Sequence, residues 1–191
     1  DAFITPIKEF TKTILQAINT AREENLVLLG IKPNRPETGY GYISSKKSIG
    51  KSLEVKAFYE KPDLTKASAY IKDKDMYWNP GIFIWQTETI LAEFTKYAPE
   101  ILTPIQSAFA KKGNAEMKKI FSKLKSEAID TSIMEKSSKI RMVPASFQWD
   151  DVGSWLSMER ITQADKNDNH LVGKNAFFHQ SKGNIAITKK E

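Results

Sequence analysis

Residues Leu26 to Ile31 are apolar with no polar interruption, and this short run limits the fold more than any other feature of the chain. A half-exposed strand alternates apolar and polar side chains, so an unbroken run of this length reads as a strand covered on both faces. Such a strand needs a layer of structure on each side. Before it, Ile7, Phe10, Ile14, Ile18 and Ala21 recur at helical spacing. They follow Thr5-Pro6, which suits a hydroxyl cap and a proline at the first helical position. This helix is predicted to end near Glu24. After the run, Pro33, Pro36, Gly39 and Gly41 force a loop.

The rest of the chain continues the alternation. Ser52 to Tyr59 reads as a strand ended by Glu60-Lys61-Pro62, and Asp63 suits the cap of a helix reaching about Lys72. Met76 to Trp78 and Gly81 to Gln86 read as extended, separated by Asn79-Pro80. A helix from Thr87 is expected to turn Ile90, Leu91 and Phe94 inward, and Met117, Ile120, Phe121 and Leu124 mark another. Ile140 to Val143 reads as a strand and Phe147 to Val152 as an extended stretch. Ser154 is expected to cap a helix bearing Trp155, Met158 and Ile161. The pattern predicts an α/β layered fold. The segments at Leu26, Ser52, Ile82 and Ile140 should share one mixed sheet, with the helices from Pro6 and Thr87 packed on it. The polar stretch Asp165 to Asn169 marks a boundary, giving a domain over 1–164 and a linker with a further segment over 165–191. In that segment Leu171 to Val172, Ala176 to His179 and Asn184 to Thr188 read as short extended pieces.

Composition excludes several function classes. At 191 residues and 40% apolar content the chain can bury one substantial core. No stretch approaches the roughly 18 apolar residues that a membrane span needs, and the first 20 residues do not read as a secretion signal. The expectation is a soluble, cytoplasmic protein with no membrane partner. There is no cysteine, hence no disulfide, thiolate metal site or cysteine nucleophile. The formal charge of +6 suits an anionic ligand, but it is carried by dispersed lysines with only four arginines. A nucleic-acid partner, which calls for charge gathered on one face, is not expected. His170 and His179 have no nearby ligand cluster for a zinc site or a triad. Neither GxxxxGK[ST] nor GxGxxG is present.

Four short clusters remain, all at predicted loops after strands, where ligands enter open α/β sheets. In Pro36-Glu37-Thr38-Gly39-Tyr40-Gly41-Tyr42 the glycines let backbone approach a ligand and Glu37 can accept hydrogen bonds from hydroxyls. The same residues equally suit a tight turn with packing aromatics. Glu60-Lys61-Pro62 sets an acid beside a compact cation fit for a phosphate oxygen, although charged strand ends before proline are commonplace. Trp78-Asn79-Pro80-Gly81 offers an amide to a hydroxyl pair and an aromatic face for stacking, or else a polar turn. In Trp149-Asp150-Asp151-Val152-Gly153-Ser154-Trp155 adjacent strand residues face opposite ways, so at most one aspartate serves a given site. That one could bind Mg²⁺, or act only as a carboxylate near a helix N-terminus.

Together the clusters resemble the bacterial mannose-1-phosphate guanylyltransferases. The resemblance is carried by LLGIKPNRPETGYGYI (Leu28 to Ile43), FYEKPD (Phe58 to Asp63), YWNPGIF (Tyr77 to Phe83), IDTSIMEK (Ile129 to Lys136) and FQWDDVGSW (Phe147 to Trp155). It implies a Rossmann-like nucleotidyltransferase fold of αβα layers around a mixed sheet, followed from Gly173 by the start of a left-handed β-helix. It implies the reaction of mannose 1-phosphate with GTP to give GDP-mannose and pyrophosphate, with Mg²⁺. Carried over residue by residue, it assigns the sugar to Glu37, Tyr40, Gly41, Asn79 and Gly81, with Asp130 nearby. Glu60 and Lys61 take a sugar hydroxyl and the phosphate, Lys61 and Asp151 are the catalytic pair, and Asp151 holds the metal with Asp1. Tyr40, Lys61, Asn79 and Asp151 are expected to converge on one cleft.

The sequence also departs from that family. The glycine-rich nucleotide loop of the family has no counterpart here, so the chain resembles an N-terminally truncated enzyme and is expected to be inactive alone. An unpaired sheet edge in such a fragment would favour self-association. Asp1 is followed by Ala2 where the family has histidine, Pro80 replaces a common serine, and Asp150 another. A related hexose-1-phosphate nucleotidyltransferase and a non-catalytic sugar-phosphate-binding module stay open beside the first reading.

Overall fold

The computed structural model describes residues 2–110 and 114–188. In chain order they form β1 (Ala2–Thr5), α1 (Ile7–Ala21), β2 (Leu26–Gly30), β3 (Gly41–Ile49), β4 (Ser52–Tyr59) and α2 (Leu64–Tyr70). Then come β5 (Met76–Asn79), β6 (Phe83–Ile84), α3 (Thr87–Tyr97), α4 (Pro99–Ala110), α5 (Asn114–Phe121) and a π-helical turn (Asp130–Met134). The last elements are β7 (Ile140–Pro144), β8 (Gln148–Asp151), α6 (Ser157–Ile161), β9 (His170–Val172) and β10 (Ile185–Ile187). The chain divides into a larger unit, Thr11–Ala145, and a smaller one, Asp1–Phe10 with Ser146–Glu191. The boundary read from the sequence at 165 falls inside the smaller unit.

The larger unit is built on a mixed six-stranded sheet of order β5-β3-β4-β7-β2-β6. β2 lies parallel to β7 and antiparallel to β6, and every residue of β2 is buried, as the apolar run requires. The four segments expected to share a sheet do so, as β2, β4, β6 and β7. Alternation sends Leu26 and Leu28 to one face with Ile43, Ile140 and Met142. Ile90 and Ala98, with Ile133 and Met134 of the π-helical turn, complete the core there. Each fully buried leucine, isoleucine or methionine among them contributes about 1.5–3 kcal/mol. Gly30 permits the strand contact, because a Cβ there would stand 2.2 Å from Met142 Sδ. The opposite face carries aromatics at the β5 side: Tyr42 and Tyr70 pack with ring centroids 5.2 Å apart, and Tyr59 and Tyr70 5.1 Å apart. Burial pushes the Tyr70 hydroxyl pKa up, and Tyr59 adds to it.

Several helical faces differ from the pattern reading. α1 buries Thr13, Ala17 and Ala21, whereas Ile7 and Ile18 are exposed. The small side chains permit closer approach than the larger ones would, which rotates the buried stripe. Thr5 ends β1 and does not cap the helix. Leu91 and Phe121 face outward, and on α3 the place of Leu91 is taken by buried Thr89 and Glu93. α4 was hidden by Pro99 and Pro104, and β3 by its serines and lysines. Asp63 does cap α2, its carboxylate accepting from Lys66 N at 2.8 Å.

In the smaller unit β1 pairs antiparallel with β8, Ala2 opposite Asp151 and Thr5 opposite Gln148. Phe10 and Phe147 meet edge to face at 5.2 Å. α6 begins at Ser157, beyond exposed Trp155, and Ser154 N donates to Ser157 Oγ at 3.4 Å in place of the expected cap. β9 and β10 run parallel, whereas Ala176–His179 is not a strand. Parallel strands joined by residues 173–184 without a helix form one coil of a solenoid-like winding. Gly173, at φ +115°, is required in it because a Cβ would stand 2.2 Å from Thr188 Oγ1.

The polar stretch at 165–169 is an ordered corner. Asp165 Oδ1 accepts from the backbone N–H of Asn167 at 2.8 Å and of Asn169 at 2.9 Å. Asn169 is 1% exposed and binds Asp165, the Ser181 carbonyl and Asn184. The Asn169 backbone hydrogen bond, then its side chain, lowers the Asp165 pKa. A carboxylate depressed in the folded state stabilises fully above its ordinary pKa and loses that contribution as pH falls through the depressed value. Acidification below the ordinary carboxylate range is therefore expected to open this corner. Amide exchange at Asn167 and Asn169 should accelerate there in the native chain, and Asp165→Asn should remove the pH dependence.

Candidate functional site

Three strands end together at one corner of the larger sheet. Gly41 opens β3 opposite Asn79, the last residue of β5, while Tyr42 pairs with Tyr59, so that Glu60 follows on beside Gly41. Gly41, Glu60 and Asn79 lie two positions from Ile43, Phe58 and Tyr77, which contribute to the core, and therefore face the same side. An ideal Cβ at Gly41 would stand 3.0 Å from Glu60 Oε2 and 3.8 Å from Asn79 Nδ2. A carboxylate acceptor and an amide donor thus border the space that the missing side chain leaves uncovered. Asp130, at the start of the π-helical turn that covers this face, accepts from Asn79 Nδ2 at 2.9 Å. Asn79 Oδ1 in turn accepts from Gly81 N at 3.0 Å, and Gly81 holds φ +69°.

Glu37 and Tyr40 belong to the other face of the same corner, in the loop between β2 and β3. Tyr42, fully buried, donates to the Glu37 carbonyl and accepts from its N–H, both at 3.0 Å. The Glu37 carboxylate serves its own loop, accepting from Gly39 N at 3.1 Å and Arg35 Nε at 3.3 Å. Arg35 also donates to Tyr40 Oη at 3.2 Å and lies 4.9 Å from the Trp78 ring centroid. Trp78, read as a stacking platform for a ligand, is 1% exposed beneath Arg35 and Tyr40, so its face is already taken. Arg35 is the organising residue that motif reading passed over. The signal was an arginine inside a glycine- and proline-punctuated loop of a lysine-rich chain.

Lys61 stands outside this packing, exposed, at φ +40°, with Nζ 3.5 Å from Glu60 Oε1. A non-glycine residue in the left-handed region is strained, and buried Pro62 follows it. The turn carries the ammonium off the strand axis. Lys32 anchors the start of β5 from the β2 side, donating to the Lys74 carbonyl and, at 3.2 Å, to the Met76 carbonyl. Burial lowers its pKa, against the opposing pull of Asp73 and Asp75. A groove of about 500 Å³ lies elsewhere, between α1 and the β3–β4 turn, lined by Lys12, Gln16 and Lys51.

The two aspartates of β8, in the smaller unit, have separate surroundings. Asp150 is 6% exposed and takes a two-pronged contact from Arg160, at 2.6 Å from Nε and 2.7 Å from Nη2. Arg160 Nη2 also donates to Ser157 Oγ at 2.9 Å. Asp151 is exposed, and an ideal Cβ at Gly153 would stand 3.5 Å from its Oδ2, so glycine leaves that carboxylate open. Of the pair, Asp151 is the one able to meet a ligand. Among the described residues no three Asp, Glu, His or Cys gather into a metal cage. A single open carboxylate fits Mg²⁺, which takes one or two carboxylates and fills its sphere with phosphate oxygens and water. Asp1, the second expected ligand, lies outside the described residues. Among the described residues no helix is long and apolar enough to cross a membrane.

Residues 1–168 match the family model described as nucleotidyl transferase. The chain is 33% identical to a mannose-1-phosphate guanylyltransferase of Escherichia coli over 97% of its own length. It spans 44% of that relative. Among solved structures it superposes on a mannose-1-phosphate geranyltransferase from Thermus thermophilus with a TM-score of 0.82 at 27% identity, covering 98% of this chain and 57% of the other. It also superposes on a mannose-6-phosphate isomerase from Helicobacter pylori with a TM-score of 0.68 at 32% identity, covering 79% and 61% of the two chains.

Proposed function

The chain belongs to the nucleotidyl transferase family, and from that premise we propose that it forms the sugar-phosphate-binding part of a pyrophosphorylase transferring GMP from GTP to mannose 1-phosphate. The observation that carries the reading is the space left uncovered beside Gly41, bordered by the Glu60 carboxylate and the Asn79 amide. A sugar hydroxyl seated there donates to Glu60 and accepts from Asn79, and the neighbouring Lys61 ammonium meets the sugar phosphate.

In the reaction a phosphate oxygen of mannose 1-phosphate attacks the α-phosphorus of GTP. The bond from that phosphorus to the bridging oxygen breaks, and pyrophosphate leaves with the electron pair. The chemistry asks for positioning and charge neutralisation. Lys61 supplies a positive charge to the attacking phosphate, and Asp151, with Asp1, would be the carboxylate set that holds Mg²⁺. When bound, the ion offsets the negative charge of the phosphates and polarises the phosphoryl oxygens.

The test is a titration of this chain with mannose 1-phosphate, glucose 1-phosphate and mannose 6-phosphate, followed by amide chemical shifts. Mannose 1-phosphate should move Gly41, Glu60, Lys61 and Asn79 and bind tightest of the three, and Lys61→Ala should weaken it about tenfold or more. Absence of any shift at these residues would overturn the reading, and tighter binding of glucose 1-phosphate would reassign the sugar.

A further inference from the structure

We infer that Asp130 is a positioning residue that acts through Asn79, fixing which way the Asn79 side-chain amide faces rather than touching the sugar phosphate itself. The inference rests on the proposed site at Gly41. The Asn79 amide is held at both ends: Nδ2 donates to Asp130 Oδ1 at 2.9 Å and Oδ1 accepts from Gly81 N at 3.0 Å. Reversing the amide would bring its oxygen against a carboxylate and its NH₂ against a backbone N–H. Both contacts would then be repulsive, so the network determines the orientation twice over.

The consequence for a ligand is specific. With one N–H given to Asp130, Asn79 keeps one N–H, on the nitrogen 3.8 Å from the point that a Gly41 Cβ would occupy. Glu60 Oε2 stands 3.0 Å from the same point and can only accept when ionised. The site is therefore one acceptor beside one donor, the pair that a single hydroxyl satisfies. If the Asn79 amide were free to turn, half of its orientations would present two acceptors there. Asp130 removes that ambiguity across a sequence separation of 51 residues. Its place explains why a short side chain reaches: it is the first residue of the π-helical turn, whose Ile133 and Met134 pack into the core beneath. Among the described residues Asp130 makes no ion pair, so its charge is directed at the amide.

The experiment is a double-mutant cycle on this chain, with Asp130→Ala, Asn79→Ala and the double variant, each titrated with mannose 1-phosphate. Asp130→Ala should weaken binding about tenfold in the parent chain and leave it unchanged within about twofold when Asn79 is already alanine. Asp130→Asn, whose carbonyl can still accept from Asn79, should recover most of the loss. Side-chain amide spectra give an independent reading without ligand. The Asn79 NH₂ pair should lose its carboxylate-bound proton shift in Asp130→Ala and keep a hydrogen-bonded shift in Asp130→Asn. Equal weakening by Asp130→Ala in both backgrounds would overturn the inference in favour of direct contact, as would Asn79 resonances that ignore the substitution. If the parent chain binds no mannose 1-phosphate, the proposed function fails while the amide spectra still decide the role of Asp130. Should Asp130→Ala unfold the turn, Asp130→Ser, too short to reach Asn79, replaces it in every arm.

Discussion

Gly41→Val is expected to abolish the proposed binding of mannose 1-phosphate, by on the order of a hundredfold or more, while the chain stays folded. Gly41 has no positive φ that would exclude a side chain, so the backbone accepts the substitution. The first added carbon lands 3.0 Å from Glu60 Oε2 and 3.5 Å from Asn79 Cβ. The branches of valine then fill the space that acceptor and donor border. Two hydrogen bonds are lost, one of them to an ionised group, each worth about 0.5–3 kcal/mol. Isothermal titration gives the affinity, and thermal unfolding separates that loss from a folding defect. Binding within about threefold of the parent chain would place the ligand elsewhere.

Arg160→Ala should lower stability by about 2–4 kcal/mol, because it leaves the Asp150 carboxylate, 6% exposed, without its guanidinium. The loss also reaches Ser157, to which Arg160 donates at 2.9 Å, and through the Ser157 hydroxyl the Asp151 carbonyl at 3.4 Å. Arg160→Lys should recover little, since a single ammonium cannot reproduce contacts at 2.6 and 2.7 Å to both oxygens. Chemical denaturation measures the change, and amide exchange should locate it at β8 and α6. A variant within about 0.5 kcal/mol of the parent would show the pair to be ornamental, as many exposed pairs are.

The placement of the candidate residues was legible to different depths. Glu60, Lys61 and Asn79 could be found from strand ends and turn residues alone, because a loop after a strand is where an α/β sheet admits ligands. That Gly41 stands opposite Asn79 is a fact of register between strands about 35 positions apart, and no local pattern contains it. Trp78 shows the same limit. An indole beside an asparagine reads equally as a ligand platform or as core, and only the arrival of Arg35 and Tyr40 decides for core. Glu37 reads as an acceptor from residue type, and only the folded loop shows that Gly39 N and Arg35 are two of its donors.

The sequence by itself pointed to the α/β layered fold, through an apolar run that reads as a doubly covered strand and the alternation around it, and to the family, through five ordered motifs. It also determined that one of two adjacent aspartates would be withdrawn, since neighbouring strand side chains diverge. Which one was withdrawn was decided by the tertiary structure, where Arg160 of α6 reaches back to Asp150 and leaves Asp151 exposed. The tertiary structure also decided that α1 buries alanines in place of its isoleucines, and that Asp130 orients Asn79. The physical reason is common to all three. Periodicity and residue type report what a side chain can do locally, whereas its partner is fixed by contacts between segments far apart in the chain, which form only when the sheet and its covering helices are in place.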